Sequence, residues 1–147
     1  MSKGWTVMKT RHGREAGFTL LELLVVLAIL GLLAAIVGPQ VMKYLDSSKS
    51  QSARVQAKNV AAALNLFKLD ATRYPTQEEG VAALVKQPPN VPNWNGPYLA
   101  EQSAIVDPWG RPYLLRIPGE HGEVDVYSLG ADGQPGGTGE ARDVGNY

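Results

Sequence analysis

Twenty consecutive residues, Phe18 to Val37, carry a single ionisable side chain, Glu22, and the next one along the chain is Lys43. A helix of that length spans ~30 Å, about the thickness of a bilayer hydrocarbon core, so the segment is predicted to cross a membrane. The pattern then changes from continuous to periodic. Ala53, Ala57, Val60, Leu64 and Phe67 recur at helical spacing while Arg54, Lys58 and Lys68 fall on other faces, so the helix is expected to continue with one side against a packed domain. No glycine or proline interrupts Gln40 to Tyr74. Upstream, Gly31, Gly38 and Pro39 are the interruptions. Proline removes a hydrogen bond to the preceding turn, and the helix is expected to bend or melt between Gly31 and Pro39.

Nine of the 10 prolines and 11 of the 16 glycines follow residue 70, which marks a turn-rich region. Thr76-Gln77-Glu78-Glu79 fits a capping box, with a short helix predicted from Gln77 to Lys86 that buries Val81, Leu84 and Val85 and ends at Pro88 and Pro89. Asn93 to Leu99 reads as a loop anchored by Trp94 and Tyr98. Tyr113 to Ile117 and Val124 to Leu129 alternate as strands, joined through Pro118 to Gly122 as an antiparallel hairpin. The expected fold is α+β: a long N-terminal α-helix, transmembrane in its first half, packed on a small antiparallel sheet with a short helix and a C-terminal loop. Three regions follow: a leader at 1–17, a membrane and assembly helix at 18–42, and a globular domain at 43–147.

A chain of 147 residues has room for one compact domain and an appendage. With 14 basic and 14 acidic side chains it lacks the clustered basic surface of a nucleic-acid binder, so no nucleic-acid partner is expected. The absence of cysteine excludes disulfides, thiolate metal sites and thiol catalysis. Two histidines leave little imidazole chemistry, and His121, on a turn between Gly119 and Gly122, reads as structural. No set of nucleophile, base and orienting group is evident, and the chain is read as a non-enzyme.

Charge is unevenly distributed. Lys3, Lys9, Arg11 and Arg14 against Glu15 give the first 17 residues +3, and the remainder carries −3. The positive end is expected to stay in the cytoplasm and the C-terminal domain to lie outside. The competing reading is a secretory signal peptide cut near Ala34 or Ala35, whose apolar core would be only roughly 7 to 15 residues and would seldom open on a carboxylate. A carboxylate at the bilayer centre costs ~2.5 to 3.5 kcal/mol, less near the interface, so Glu22 calls for a partner and a function.

Gly17-Phe18-Thr19-Leu20-Leu21-Glu22 followed by an apolar helix resembles the class III signal of type IV prepilins and pseudopilins. The resemblance implies that a prepilin peptidase cuts between Gly17 and Phe18 and methylates the new Phe18 amine. It also implies that Glu22 of one subunit pairs with the Phe18 amine of its neighbour, and that the stretch containing Gly31, Gly38 and Pro39 extends in the assembled filament. Further along, RYPTQEEGVAALV, WNGPYL, DPWGRPYLLRIPGEHGEVDVYSLGADG and the terminal DVGNY are similar, in this order, to the protein G family of type II secretion pseudopilins. What that implies is a structural subunit of a periplasmic filament that grows from the inner-membrane secretion platform. Its partners would be further copies of itself, minor pseudopilins, the platform and the prepilin peptidase/methyltransferase. A pilin-like subunit serving DNA uptake or adhesion is the alternative.

The last constellation is SLGADGQPGGTGEARDVGNY, rich in glycine, carboxylates and main-chain oxygens of the kind calcium prefers. Asp132-Gly133 matches only a fragment of an EF-hand pattern, so the residues alone leave open a flexible turn or a metal site. The family resemblance implies one structural calcium, held by the Leu129 carbonyl, the Asp132 carboxylate and the Gln134 carbonyl. Where that family carries a second aspartate this chain has Gly139, which leaves Glu140 or Asp143 to supply the second carboxylate.

Overall fold

The computed structural model describes residues 17–147, so of the leader expected at 1–17 all but Gly17 lies outside the described residues. The chain divides into two units, one ending at Pro39 and one running from Gln40 to Tyr147, beside the 18–42 and 43–147 division read from sequence. A single α-helix, α1 (Leu20–Ala71), passes from one into the other. Every side chain from Phe18 to Val37 is exposed, a surface suited to lipid or to other helices and not to water. The melting expected between Gly31 and Pro39 does not occur in this structure, where α1 is continuous through the segment. Pro39 removes one donor, and the turns on either side keep theirs.

In the second unit the periodic stripe is the inner face of α1: Ala53, Ala57, Val60, Leu64 and Phe67 are fully buried. All of these but Ala53 meet Val81, Leu84, Val91, Ile105, Tyr113, Leu115, Val124 and Val126 in one core. Arg54 and Lys58 are solvated. The helix ends where Thr72 turns left-handed at φ 59°, a C-terminal position usually filled by glycine. The chain returns through a capping box whose reciprocal bonds are both present: the Thr76 amide donates to Glu79 Oε2 at 2.8 Å, and the Glu79 amide to Thr76 Oγ1 at 3.2 Å. The α-helix expected over Gln77–Lys86 is instead a turn followed by a five-residue 3-10 helix, Gly80–Leu84. Gly80 at φ +53° breaks the α-helical path just after the cap. Val81 and Leu84 are buried as expected, while Val85 is half-buried.

Trp94 and Tyr98 anchor their loop through polar tips. The Trp94 indole donates to the Ala83 carbonyl at 2.8 Å and the Tyr98 hydroxyl to Asp70 at 2.7 Å, while the two rings meet edge to face. The hairpin forms as β1 (Leu114–Arg116) and β2 (Asp125–Ser128), antiparallel with Leu115 opposite Val126. A third strand, β3 (Val144–Gly145), pairs antiparallel to β2 and completes the order β1-β2-β3. His121 is structural: its Nδ1 lies 3.1 Å from buried Asp125 and its ring stacks on Tyr147.

Candidate functional site

Two places carry chemistry that the core does not need. The first is the start of α1. Phe18 is exposed, and among the described residues a side chain at Gly17 would meet nothing within 4 Å. Glu22 turns back to cap its own helix. Its Oε2 accepts from the Thr19 amide at 3.0 Å and from the Thr19 hydroxyl at 3.3 Å, while the Glu22 amide donates to Thr19 Oγ1 at 3.1 Å. This reciprocal arrangement satisfies two of the orphan donors of a helix N-terminus. Sequence reading missed Thr19, although Thr19-Leu20-Leu21-Glu22 has the same spacing as the box recognised at Thr76. Among the described residues, then, the Glu22 carboxylate has neutral partners only, and an ammonium group at Phe18 would require the Gly17–Phe18 bond to be cut.

The second is the C-terminal loop from Leu129 to Asp143. Gly133, Gly136, Gly137 and Gly139 all have positive φ. At Gly139, φ +62° explains the glycine: an aspartate there would sit in a backbone region that L side chains seldom adopt. Asp132 Oδ1 accepts the Gln134 amide at 3.0 Å, forming a tight turn, and Asp143 Oδ2 accepts the Gly136 amide at 3.0 Å from across the loop. The second oxygen of Asp143, Oδ1, is buried without a hydrogen-bond partner. Such an orphaned carboxylate oxygen, beside a loop of main-chain carbonyls, is the kind of hard donor a calcium ion satisfies. Glu140 Oε1 is buried without a partner as well. Its carboxyl faces Asp46 of α1, and that carboxyl, together with burial, pushes the Glu140 pKa up. Both residues line the cleft beside Lys43 and Asp46 of α1, and they differ in that Asp143 bonds across the loop to the Gly136 amide while Glu140 meets a second carboxyl. Among the described residues no three acidic or histidine side chains converge closely enough to hold a metal by themselves. A cation here would therefore need the main-chain oxygens of Leu129 and Gln134 as well as Asp132 and Asp143.

An exposed apolar helix that starts on a capped carboxylate and ends as the spine of a small three-stranded domain defines a pilin-like filament subunit. Comparison with known proteins gives the particular family. Residues 40–147 match the family "Type II secretion system (T2SS), protein G", and residues 12–38 match the prokaryotic N-terminal methylation motif. The chain is 48% identical to the type II secretion system core protein G of Pseudomonas aeruginosa over 138 residues, covering 91% of this chain and 96% of that one. With the protein of the same name from Vibrio cholerae identity is 41%, over 91% and 92% of the two chains. The crystal structure of the major pseudopilin from the type 2 secretion system of enterohaemorrhagic Escherichia coli superposes with a TM-score of 0.57 at 33% identity, covering 71% of this chain and 91% of that chain. The chain belongs to the type II secretion protein G family.

Proposed function

We propose that this pseudopilus subunit is stored in the bacterial inner membrane as a single-pass protein with its N-terminus cytoplasmic, and that it polymerises into a periplasmic filament after processing. Hydrolysis of the Gly17–Phe18 bond by a prepilin peptidase frees the Phe18 amine, which then receives one methyl group. The capped conformation of Glu22 keeps its charge satisfied during storage. On assembly the carboxylate exchanges the Thr19 donors for the Phe18 ammonium of a neighbouring copy, a charge-assisted bond stronger than the neutral ones it replaces. Because either charge left alone in an apolar helix bundle would be costly, the pair sets the register of the incoming subunit. Minor pseudopilins, the secretion platform and the processing enzyme are the further partners, and the role is structural, in support of folded-protein export across the outer membrane.

This reading rests on the exposed apolar first part of α1, whose only ionisable group before Lys43 is Glu22, four residues from the bond expected to be cut. A structural calcium in the C-terminal loop is part of the same proposal, with Asp132, Asp143 and the carbonyls of Leu129 and Gln134 as ligands. When bound, it would neutralise the two carboxylates and tie the loop's two limbs together. Intact-mass analysis of membrane-extracted protein tests the processing step. The expected species lacks residues 1–17 and carries one added methyl group, whereas a mature chain beginning near Ile36 would replace the proposal with an ordinary signal peptide.

A further inference from the structure

The C-terminal loop is gripped from outside itself. Asp107, only 5% exposed, opens the turn Asp107-Pro108-Trp109-Gly110, which closes through a 3.0 Å bond from the Gly110 amide to the Asp107 carbonyl. One carboxylate oxygen of Asp107 accepts the amides of Trp109 at 3.0 Å and Arg111 at 2.8 Å. The other accepts the hydroxyl of fully buried Ser128 at 2.5 Å. Ser128 Oγ in turn accepts the Gly130 amide at 3.2 Å, and the Arg111 guanidinium donates to the Gly130 carbonyl. Both backbone polar groups of Gly130 therefore end in the same three-residue network. The guanidinium also lies against Gly133, where an added Cβ would stand 3.1 Å from Nη1 and 3.2 Å from Cζ.

The far side of the loop is held otherwise. From Gln134 to Arg142 the bonds are the Gln134 amide to Asp132, the Gly136 amide to Asp143, the Asp143 amide to the Gly136 carbonyl, and short turn bonds to Thr138 and Gly139. Two of these run to the carboxylates assigned above to the cation. The two limbs meet at Gly130, where a Cβ would fall 2.5 Å from the Glu140 carbonyl oxygen, and through the Ala131 amide, which donates to that same carbonyl at 2.8 Å.

We propose that Arg111 is a positioning residue: with Asp107 and Ser128 it fixes the entry turn Leu129–Gly133 whether or not a cation is present, so that a cation orders only the limb from Gln134 to Asp143. The cation half of this rests on the calcium reading above, and the lock itself does not. In its presence the Leu129 carbonyl and the Asp132 backbone are set before the ion arrives, and less ordering opposes binding. An arginine suits the task because its planar fork reaches the Gly130 carbonyl while its face covers Gly133, which the point charge of a lysine cannot do.

The test is hydrogen exchange of the full mature chain in detergent, in chelator and then in excess calcium, combined with calorimetric titration of calcium. In chelator the segment 129–133 of the wild type is expected to stay protected by about tenfold or more over 134–142. Arg111→Lys brings 129–133 to the rate of the far limb and weakens calcium binding about ten- to a hundred-fold. Ser128→Ala, which removes the acceptor of the Gly130 amide and leaves the charge of Arg111 intact, should also release 129–133. Protection of the Leu115 and Val126 amides should be unchanged in both variants. The proposal is overturned if 129–133 exchanges as fast as 134–142 in chelated wild type, if Arg111→Lys leaves it protected, or if both variants lose Leu115 and Val126 in parallel with it. Absence of any calcium heat in the wild type would overturn the cation half alone, and exchange in chelator would still decide the lock.

Discussion

Replacing Glu79 by glutamine removes one negative charge from the junction between α1 and the short 3-10 helix. The Arg73 guanidinium grips this carboxylate in a fork, with Nη1 to Oε2 at 2.7 Å and Nη2 to Oε1 at 2.8 Å, and the Thr76 amide adds a third bond at 2.8 Å. Arg73's hydrogen bonds are the main reason that the Glu79 carboxyl is held down at about 2, with burial opposing and the Thr76 amide assisting. Relative to an ordinary value of 4.5, that corresponds to a ceiling of roughly 3 kcal/mol. The Glu79 side chain is 15% exposed but Arg73 is 38% exposed, so solvent screening reduces the figure to about 1 to 2 kcal/mol. The sign follows from linkage: a carboxyl whose pKa is depressed on folding contributes fully above its unfolded value and loses that contribution as pH falls toward 2. Urea denaturation of the full mature chain in mild detergent, followed by tryptophan fluorescence, should show Glu79→Gln less stable than wild type by about 1 to 2 kcal/mol at pH 7. The gap should narrow below about pH 5 and close near pH 2. Equal midpoints at pH 7, or a gap that stays constant down to pH 2, would refute the charge argument and leave shape as the only contribution of Glu79.

Three further outcomes can be checked in the same way. Asp143→Asn should abolish calcium-dependent stabilisation of the domain, while Glu140→Gln, whose carboxyl faces Asp46, should leave it nearly unchanged by thermal unfolding with calcium and then chelator. Gly130→Ala should destabilise the domain by about 2 kcal/mol or more, because φ is +66° and the added methyl carbon would fall 2.5 to 2.7 Å from two carbonyl oxygens; wild-type stability would mean that the limbs of the loop can part freely. Thr72→Gly should stabilise by about 1 kcal/mol, since a β-branched residue occupies the left-handed end of α1, and a lower denaturation midpoint would contradict that.

The parts that were legible in sequence are those governed by a local period or a local cap. The stripe from Ala53 to Phe67 follows from helical spacing alone, and the Thr76–Glu79 box from a four-residue pattern. The 3-10 geometry after Glu79 depends on the sign of φ at Gly80, which residue identity permits but does not dictate. Strand β3 is two residues long and exists only because β2 offers it an edge, a pairing between distant segments with no period of its own. Spacing could not separate Glu140 from Asp143 as the second carboxylate proposed for the loop, because the carboxyl that Glu140 meets, Asp46, comes from α1, far away in the chain. Thr19 and the Asp107–Ser128–Arg111 network were different: Thr-Leu-Leu-Glu and Asp-Pro-Trp-Gly carried recognisable cap and turn chemistry.

In the proposed assembly Glu22 exchanges an intrachain cap for the Phe18 amine of a neighbour and so registers the filament. The most direct test is the yield of sheared or reconstituted filaments from Glu22→Ala, with membrane insertion and leader processing measured on the same cells. Removing a charge from an apolar helix lowers the cost of insertion, so the variant should be inserted and cut like wild type. Its filament yield should nevertheless fall to a small fraction of the wild-type level. Normal yield from a normally processed variant would contradict that exchange and assign the register to helix packing alone.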